Sequence, residues 1–181
     1  GTATAITITG SAGMDTITGS GNVDTISSGA GNDTVTGGAK ADILSGGAGN
    51  DTFVYAAGTD STLAAMDIIS DFSANTFGNG LNGAAGTGAN LADATKVTGD
   101  VLQFTVTAAV VADGAYVFVA TNAADAQTFL QNLGAEAGAA KDNAFGAALD
   151  STTGKLYIDL DSNGTVDSVI QLTGVTTITA A

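Results

Sequence analysis

The chain has no cysteine, no histidine, no proline and no arginine. Without cysteine there are no disulfides and no thiolate metal sites. Without histidine it lacks the commonest general base and the usual zinc ligand, so neither a Ser-His-Asp nor a Cys-His set can form. Positive charge is nearly absent too. Lys40, Lys96, Lys141 and Lys155 face eighteen acids, for a net charge of −14. Seventeen of those acids are aspartates and Glu136 is the one glutamate. Phosphate recognition needs clusters of Lys and Arg, so nucleic acid is excluded as a partner. No long apolar run and no signal peptide is present, so neither a membrane span nor direct membrane insertion is expected. Short-stemmed acids without matching bases call for a cation as counter-charge.

What is present is glycine and strand-forming residues. The 26 glycines stand beside a 44% hydrophobic content rich in Val, Ile and Leu, which argues against disorder. Thr, Val and Ile favour strands. The stretch GGAGNDTFVY, residues 46 to 55, combines both: a glycine turn, then Asp51, then four strand-formers. Stepping back from Asp51 by nine residues reaches Asp42, Asp33, Asp24 and Asp15. The five units are GSAGMDTIT, GSGNVDTIS, SGAGNDTVT, GGAKADILS and GGAGNDTFV. Two residues after each Asp is an apolar side chain: Ile17, Ile26, Val35, Leu44 and Phe53. Ile8 extends that series upstream.

This pattern, G-G-x-G-x-D-x-U-x, resembles the nonapeptide repeat of the RTX calcium-binding family. The resemblance implies an all-β fold: a parallel β-roll, followed here by a β-rich C-terminal cap with one short helix. Each unit then supplies a turn and a short strand, and two units make one coil. Units n and n+2 fall on the same side, so their aspartates stack at the strand spacing of roughly 4.8 Å. Two such charges repel by about 3–4 kcal/mol at an effective dielectric near 20. A column of them needs a cation between its members. Calcium, Ca²⁺, takes 6–8 hard oxygens, which aspartates and turn carbonyls supply together. The candidate ligands are Asp15, Asp33 and Asp51 on the odd edge and Asp24 and Asp42 on the even edge. Asp60 follows as a degenerate sixth unit, expected to pair with the unit of Asp42. Asn22 and Lys40 replace the glycine two before Asp, and Lys40 reaches a left-handed backbone less cheaply. Weaker binding is therefore expected along the even edge. The alternative is that each Asp only caps its own turn.

A second pattern is DLDSNGTVD, residues 159 to 167. Asp159, Asp161, Asn163 and Asp167 with Gly164 resemble the start of an EF-hand loop, but Ile170 stands where the bidentate Glu belongs. Alternating apolar residues flank it, so it reads as a calcium-type loop between strands or as a polar hairpin turn. The segments DSTLAAMDIISDF (60 to 72) and GDVLQF (99 to 104) resemble the region after the repeats in serralysin-type secreted proteases. Asp67, Asp71 and Asp100 are further candidate ligands there, with a solvated or turn-capping role as the alternative.

The roll is expected over residues 1–62 and the cap over 63–181, with an inserted Gly/Asn/Ala loop at about 73–98. Leu102, Phe104 and Val106 alternate on one face of a strand. Tyr116 to Val119 form another after an Asp113-Gly114 turn. A helix is expected over 123–133, capped by Asn122 and ended by Gly134. Residues 134–148 show no clear pattern.

Three functions compete. The whole chain resembles the C-terminal region of RTX surface-layer proteins. That resemblance implies type I secretion, a cell-surface location and calcium-driven self-association into a lattice. The others are a non-catalytic domain of a secreted serralysin-type protease or lipase, and a module of an RTX adhesin. The start at Gly1 and the end at Ala180-Ala181 read as a fragment. The tail TTITAA lacks the acid-plus-apolar ending usual in RTX secretion signals.

Overall fold

Each repeat unit spends three or four residues on a strand, because the residue two after Asp is the one apolar side chain its turn can direct inward. The computed structural model describes residues 4–56, 59–73, 76–77, 89–90, 99–104, 115–120, 122–135, 145–160, 163–176 and 179–180. The repeats form β1 (Thr7–Thr9), β2 (Thr16–Thr18), β3 (Thr25–Ser27), β4 (Thr34–Thr36), β5 (Ile43–Ser45) and β6 (Thr52–Tyr55). Then come β7 (Asp67–Ile69), β8 (Thr76–Phe77), β9 (Ala89–Asn90), β10 (Val101–Phe104) and β11 (Ala115–Ala120). The last elements are α1 (Ala123–Ala135), β12 (Phe145–Asp150), β13 (Lys155–Asp159), β14 (Ser168–Leu172) and β15 (Thr179–Ala180).

Odd and even units separate into two parallel sheets, as a two-unit coil requires. One sheet runs β1-β3-β5-β7 and the other β2-β4-β6-β10. Registers such as Ile26↔Leu44 and Ile17↔Val35 put like positions of successive coils side by side. The inward residues Ile26, Val35, Leu44 and Phe53 are fully buried between the sheets. Each such burial is worth about 1.5–3 kcal/mol. The fold is thus an all-β parallel roll with a cap and one short helix.

The roll does not end with the repeats. β7 pairs with β5 in parallel, Leu44↔Ile69, and β10 pairs with β6, Leu102↔Phe53. This corrects the expected sixth unit. The strand stacked on the unit of Asp42 starts at Asp67, not beside Asp60, because the loop at 59–66 adds residues before the chain rejoins the sheet. Phe72 packs against Phe53, with ring centroids 6.1 Å apart, and Tyr55 stacks on Phe104 at 5.3 Å.

The cap continues the first sheet through β14, β13, β12 and β11. β14 joins β7 in parallel, and β12, β13 and β14 are antiparallel neighbours. Helix α1 starts where expected: the Asn122 Oδ1 accepts the Asp125 N–H at 3.0 Å. It runs one residue past Gly134. Ala126 and Leu130 cover Ala148, Tyr157 and Val169. Strand β12 lies where no pattern was read; FGAALD has two faces to bury, so neither face shows alternation. Most of the 73–98 insertion, Val106 and the Asp113-Gly114 turn lie outside the described residues.

Candidate metal centre

Each repeat aspartate stands at the exit of its turn, one residue before its strand, and from Asp24 onward the main chain of the preceding coil fixes one carboxylate oxygen. The N–H of Asp15 donates to Asp33 Oδ1 at 2.8 Å, and that of Asp33 to Asp51 Oδ1 at 2.9 Å. On the even edge the N–H groups of Ile6 and Asp24 donate to Oδ1 of Asp24 and Asp42 at 2.9 and 2.8 Å. The sequence offset is 18 residues each time, one coil. Two residues outside the repeats continue these columns. Asp67 Oδ1 accepts the Asp42 N–H at 2.8 Å, 25 residues away, and Asp100 Oδ1 the Asp51 N–H at 3.0 Å, 49 residues away.

The other oxygen, Oδ2, divides the units into two kinds. In the first two, the residue four before Asp is a serine. Ser11 donates its N–H and its hydroxyl to Asp15 Oδ2, at 2.6 and 2.9 Å. Ser20 donates its N–H to Asp24 Oδ2 and its hydroxyl to Oδ1. In the other three, that residue is Gly29, Gly38 or Gly47, at φ of +111°, +104° and +88°. An L-residue resists such angles and glycine does not. There Asp33, Asp42 and Asp51 keep a buried Oδ2 with no hydrogen-bond partner, as does Asp67. Lys40 adopts φ +83°, where Gly31 and Gly49 hold the same place in their turns. It is the one non-glycine residue with positive φ among the described residues.

Capped Asp24 differs electrostatically from uncapped Asp42, Asp51 and Asp67. Burial alone would raise Asp24, but the N–H groups of Ile6 and Ser20 and the Ser20 hydroxyl outweigh it and hold its pKa low. Asp42 is raised to about 6, by burial first and then by the charges of Asp24 and Asp60, against one favourable N–H from Asp24. Asp67 is raised to about 8, again chiefly by burial, with the charges of Asp42 and Asp60 adding to it and the Asp42 N–H and the Tyr55 hydroxyl opposing it. Burial, and then the charge of Asp100, raises Asp51. Burial also raises Asp100, although Ser73 donates to its Oδ2 at 2.8 Å.

A buried carboxylate oxygen without a donor is costly, and a stack of them more so. A hard divalent cation removes both costs, and the buried oxygens of Asp33, Asp42, Asp51 and Asp67 fit it. Among the described residues no three acidic side chains gather as a carboxylate cage. Turn carbonyls therefore have to complete a calcium shell here, as calcium's tolerance of mixed oxygen ligands allows.

The remaining expected ligands are placed differently. Asp60 Oδ2 accepts the Ala56 N–H at 2.8 Å, four residues back, as in the repeat turns, but its unit is out of the strand register. Asp71 is exposed and caps a neighbouring turn: it accepts the Ser45 hydroxyl at 2.6 Å and the Gly46 and Gly47 N–H groups. Asp159, Asn163 and Asp167 lie in the β13–β14 hairpin. Gly164 donates to Asp159 at 2.9 Å, Thr165 to Asn163 at 2.7 Å and Leu160 to Asp167 at 2.7 Å. These are turn-capping bonds within a polar hairpin. Asp161 lies outside the described residues. The strongest addition, Asp67, is in no nonapeptide. Its signal was DII, an acid followed two residues later by an inward apolar residue, displaced from the nine-residue count.

The fold and these columns define a calcium-binding β-roll. The family model of the RTX calcium-binding nonapeptide repeat matches residues 7–35 and 28–61. That segment is thus an RTX repeat, a non-catalytic structural repeat that binds Ca²⁺. The match stops short of Asp67 and Asp100. No curated protein matches the chain.

Proposed function

We propose that the chain is a calcium-folded structural domain of a secreted bacterial surface-layer protein. On this reading it is exported unfolded by type I secretion and self-associates into a lattice on the cell surface. One observation carries the calcium part: four aspartates in two columns each keep one buried oxygen without a donor. Extracellular calcium modules bind with Kd of about 10⁻⁴–10⁻³ M. Cytosolic calcium is too scarce to fill such sites, and the column repulsion keeps the chain loose enough to thread through a channel. Outside, each filled site adds about 1.4 kcal/mol at ten times Kd, and the sites sum. Support for the surface-layer part is the Thr/Ala/Gly-rich, Asp-dominated composition and the YIDLDSNGTVDS ending.

The test is calcium-induced self-association, followed by light scattering and electron microscopy. A lattice protein forms ordered sheets above millimolar calcium. A chain that folds with calcium yet stays monomeric is instead the non-catalytic domain of a secreted enzyme or an adhesin module.

A further inference from the structure

The hairpin between β13 and β14 holds an arrangement with more chemistry in it than a turn cap needs. Asn163 and Gly164 are the one Asn-Gly pair among the described residues. Gly164 takes φ +79° and has no Cβ to shield its peptide nitrogen. Its N–H donates to Asp159 Oδ2 at 2.9 Å. Asp159 is fully buried, while Asn163 is exposed to water. The Asn163 Oδ1 in turn accepts the Thr165 N–H at 2.7 Å. That bond closes a ring through Asn163 Cγ and the Gly164 nitrogen, so the side chain is folded back along the peptide that follows it.

These are the parts of an intramolecular acyl transfer. The Gly164 nitrogen is the nucleophile and Asn163 Cγ the electrophile. Asp159 Oδ2 lies within the reach of a general base, about 2.6–3.2 Å. The Thr165 N–H sits on the oxygen where charge develops as a tetrahedral intermediate forms. We propose that Asn163-Gly164 is a self-modifying site, at which the folded hairpin speeds loss of the Asn163 amide. The Gly164 N–H proton passes to Asp159 and the N–Cγ bond forms. The Cγ–Nδ2 bond then breaks, and the proton held by Asp159 leaves with ammonia. Water opens the resulting cyclic imide at either carbonyl, which leaves an aspartyl or an isoaspartyl residue at position 163. Water is the only co-reactant.

Asn32, Asn50 and Asn122 lack this set. The Asn32 Oδ1 accepts the Asn50 N–H at 3.0 Å and the Asn50 Oδ1 the Gly99 N–H at 2.8 Å, so both side chains turn to another segment of the roll. The Asn122 Oδ1 caps α1 through Asp125. At Asn163 either product adds a negative charge to the loop of Asp159 and Asp167. The isoaspartyl product also lengthens the main chain in the hairpin through which the first sheet runs into the cap. The cap thus carries a residue whose chemistry records how long the chain has been folded. The inference is independent of the calcium reading.

The experiment ages the whole chain at constant temperature, folded in millimolar calcium and, in parallel, unfolded in urea. Cleavage after lysine isolates residues 156–181, in which Asn163 is the one asparagine. Asn79-Gly80 and Asn82-Gly83, outside the described residues, fall in the separate peptide 41–96. Chromatography with mass spectrometry counts the unreacted, aspartyl and isoaspartyl forms. The folded wild type is expected to react at least about ten-fold faster than the unfolded chain, a modest share of the roughly 10²–10⁴-fold that a positioned general base supplies. Asp159→Ser keeps a polar oxygen without the base and is expected to bring the folded rate down to the unfolded one. A folded wild type in which Asn163 reacts no faster than in urea overturns the inference. So does a folded Asp159→Ser variant that reacts as fast as the wild type or faster, since the carboxylate would then be guarding the peptide N–H. The first comparison needs no variant, so it decides the question even where Asp159→Ser does not fold.

Discussion

The substitution Asp33→Asn should push the protein in opposite directions with and without calcium. Asp33 is the middle member of the odd column. Its Oδ1 accepts the Asp15 N–H, its N–H donates to Asp51, and its Oδ2 is buried without a partner. The amide side chain of the variant retains the Oδ1 acceptor and the shape. Without calcium it removes repulsion toward two neighbours at roughly 4.8 Å. Each contact is worth at most about 3–4 kcal/mol at an effective dielectric near 20, and less where water screens it. A gain of about 1–3 kcal/mol in the calcium-free state follows from that discounted repulsion. With calcium the sign reverses. Asp33 faces two intervals of the column, and losing both at ten times Kd removes about 3 kcal/mol of linkage. For a chain of this size that lowers Tm by about 6–12 °C. Far-UV circular dichroism of the stripped and calcium-loaded variant measures both arms. Residual structure should rise without calcium, and the calcium concentration needed for folding should rise as well. A variant less stable in both conditions, or unchanged in both, refutes the column argument. Asp24→Asn is the control: serine donors already satisfy that carboxylate, so its calcium titration should move less.

Other perturbations follow from the same geometry. Asp42 and Asp67 have folded pKa values raised to about 6 and about 8 from an ordinary 3.8, so the folded form holds protons that the unfolded chain releases. The calcium-free fold is therefore most stable below the unfolded value and loses that stability as pH rises through about 6 and then about 8. Calcium-stripped protein should gain β structure on acidification, read by circular dichroism, and flat ellipticity across that window counts against the burial of these groups. Lys40→Gly relieves a left-handed backbone worth about 1–2 kcal/mol, offset by about 0.5–1 kcal/mol of glycine chain entropy. Thermal unfolding in calcium should show a gain of up to about 1 kcal/mol, and a loss would show that the lysine side chain is needed. Gly47→Ala places a methyl against the Gly29 carbonyl at φ +88°, so stability should fall by well over about 1 kcal/mol in a denaturant melt. Ser20→Gly removes the hydroxyl donor to Asp24 Oδ1 and lets the second turn adopt the positive-φ geometry of the later ones, in which the backbone N–H leaves Oδ2 without a partner. Calorimetry should then count an additional calcium ion.

The roll was legible because its signal repeats. Asp, glycine and the inward apolar residue recur in register, and stacking makes each unit confirm the next. The split between capped and uncapped aspartates was also written in the chain, as Ser11 and Ser20 against Gly29, Gly38 and Gly47. It was not readable without knowing that those glycines take positive φ. Asp60 illustrates the limit of counting. It keeps the nine-residue spacing and the local turn bond to Ala56, while the sheet register passes to Asp67. Register is set by which strand pairs, and the loop at 59–66 broke the count without breaking the stack. The cap was harder still. Strand β12 is covered by α1 on one face and by the core on the other, which erases alternation, and β14 pairs with β7 far upstream in the chain. Neither fact has a local signature.

The central claim is that cations filling the two aspartate columns are what allow this roll to fold. Its most direct measurement is a calcium titration of the stripped, whole chain at neutral pH, followed by far-UV circular dichroism and thermal melting. The account predicts a chain with little β structure in chelator and a cooperative gain of β structure and Tm as calcium reaches the millimolar range. A β spectrum and melting temperature that chelation leaves unchanged would contradict it.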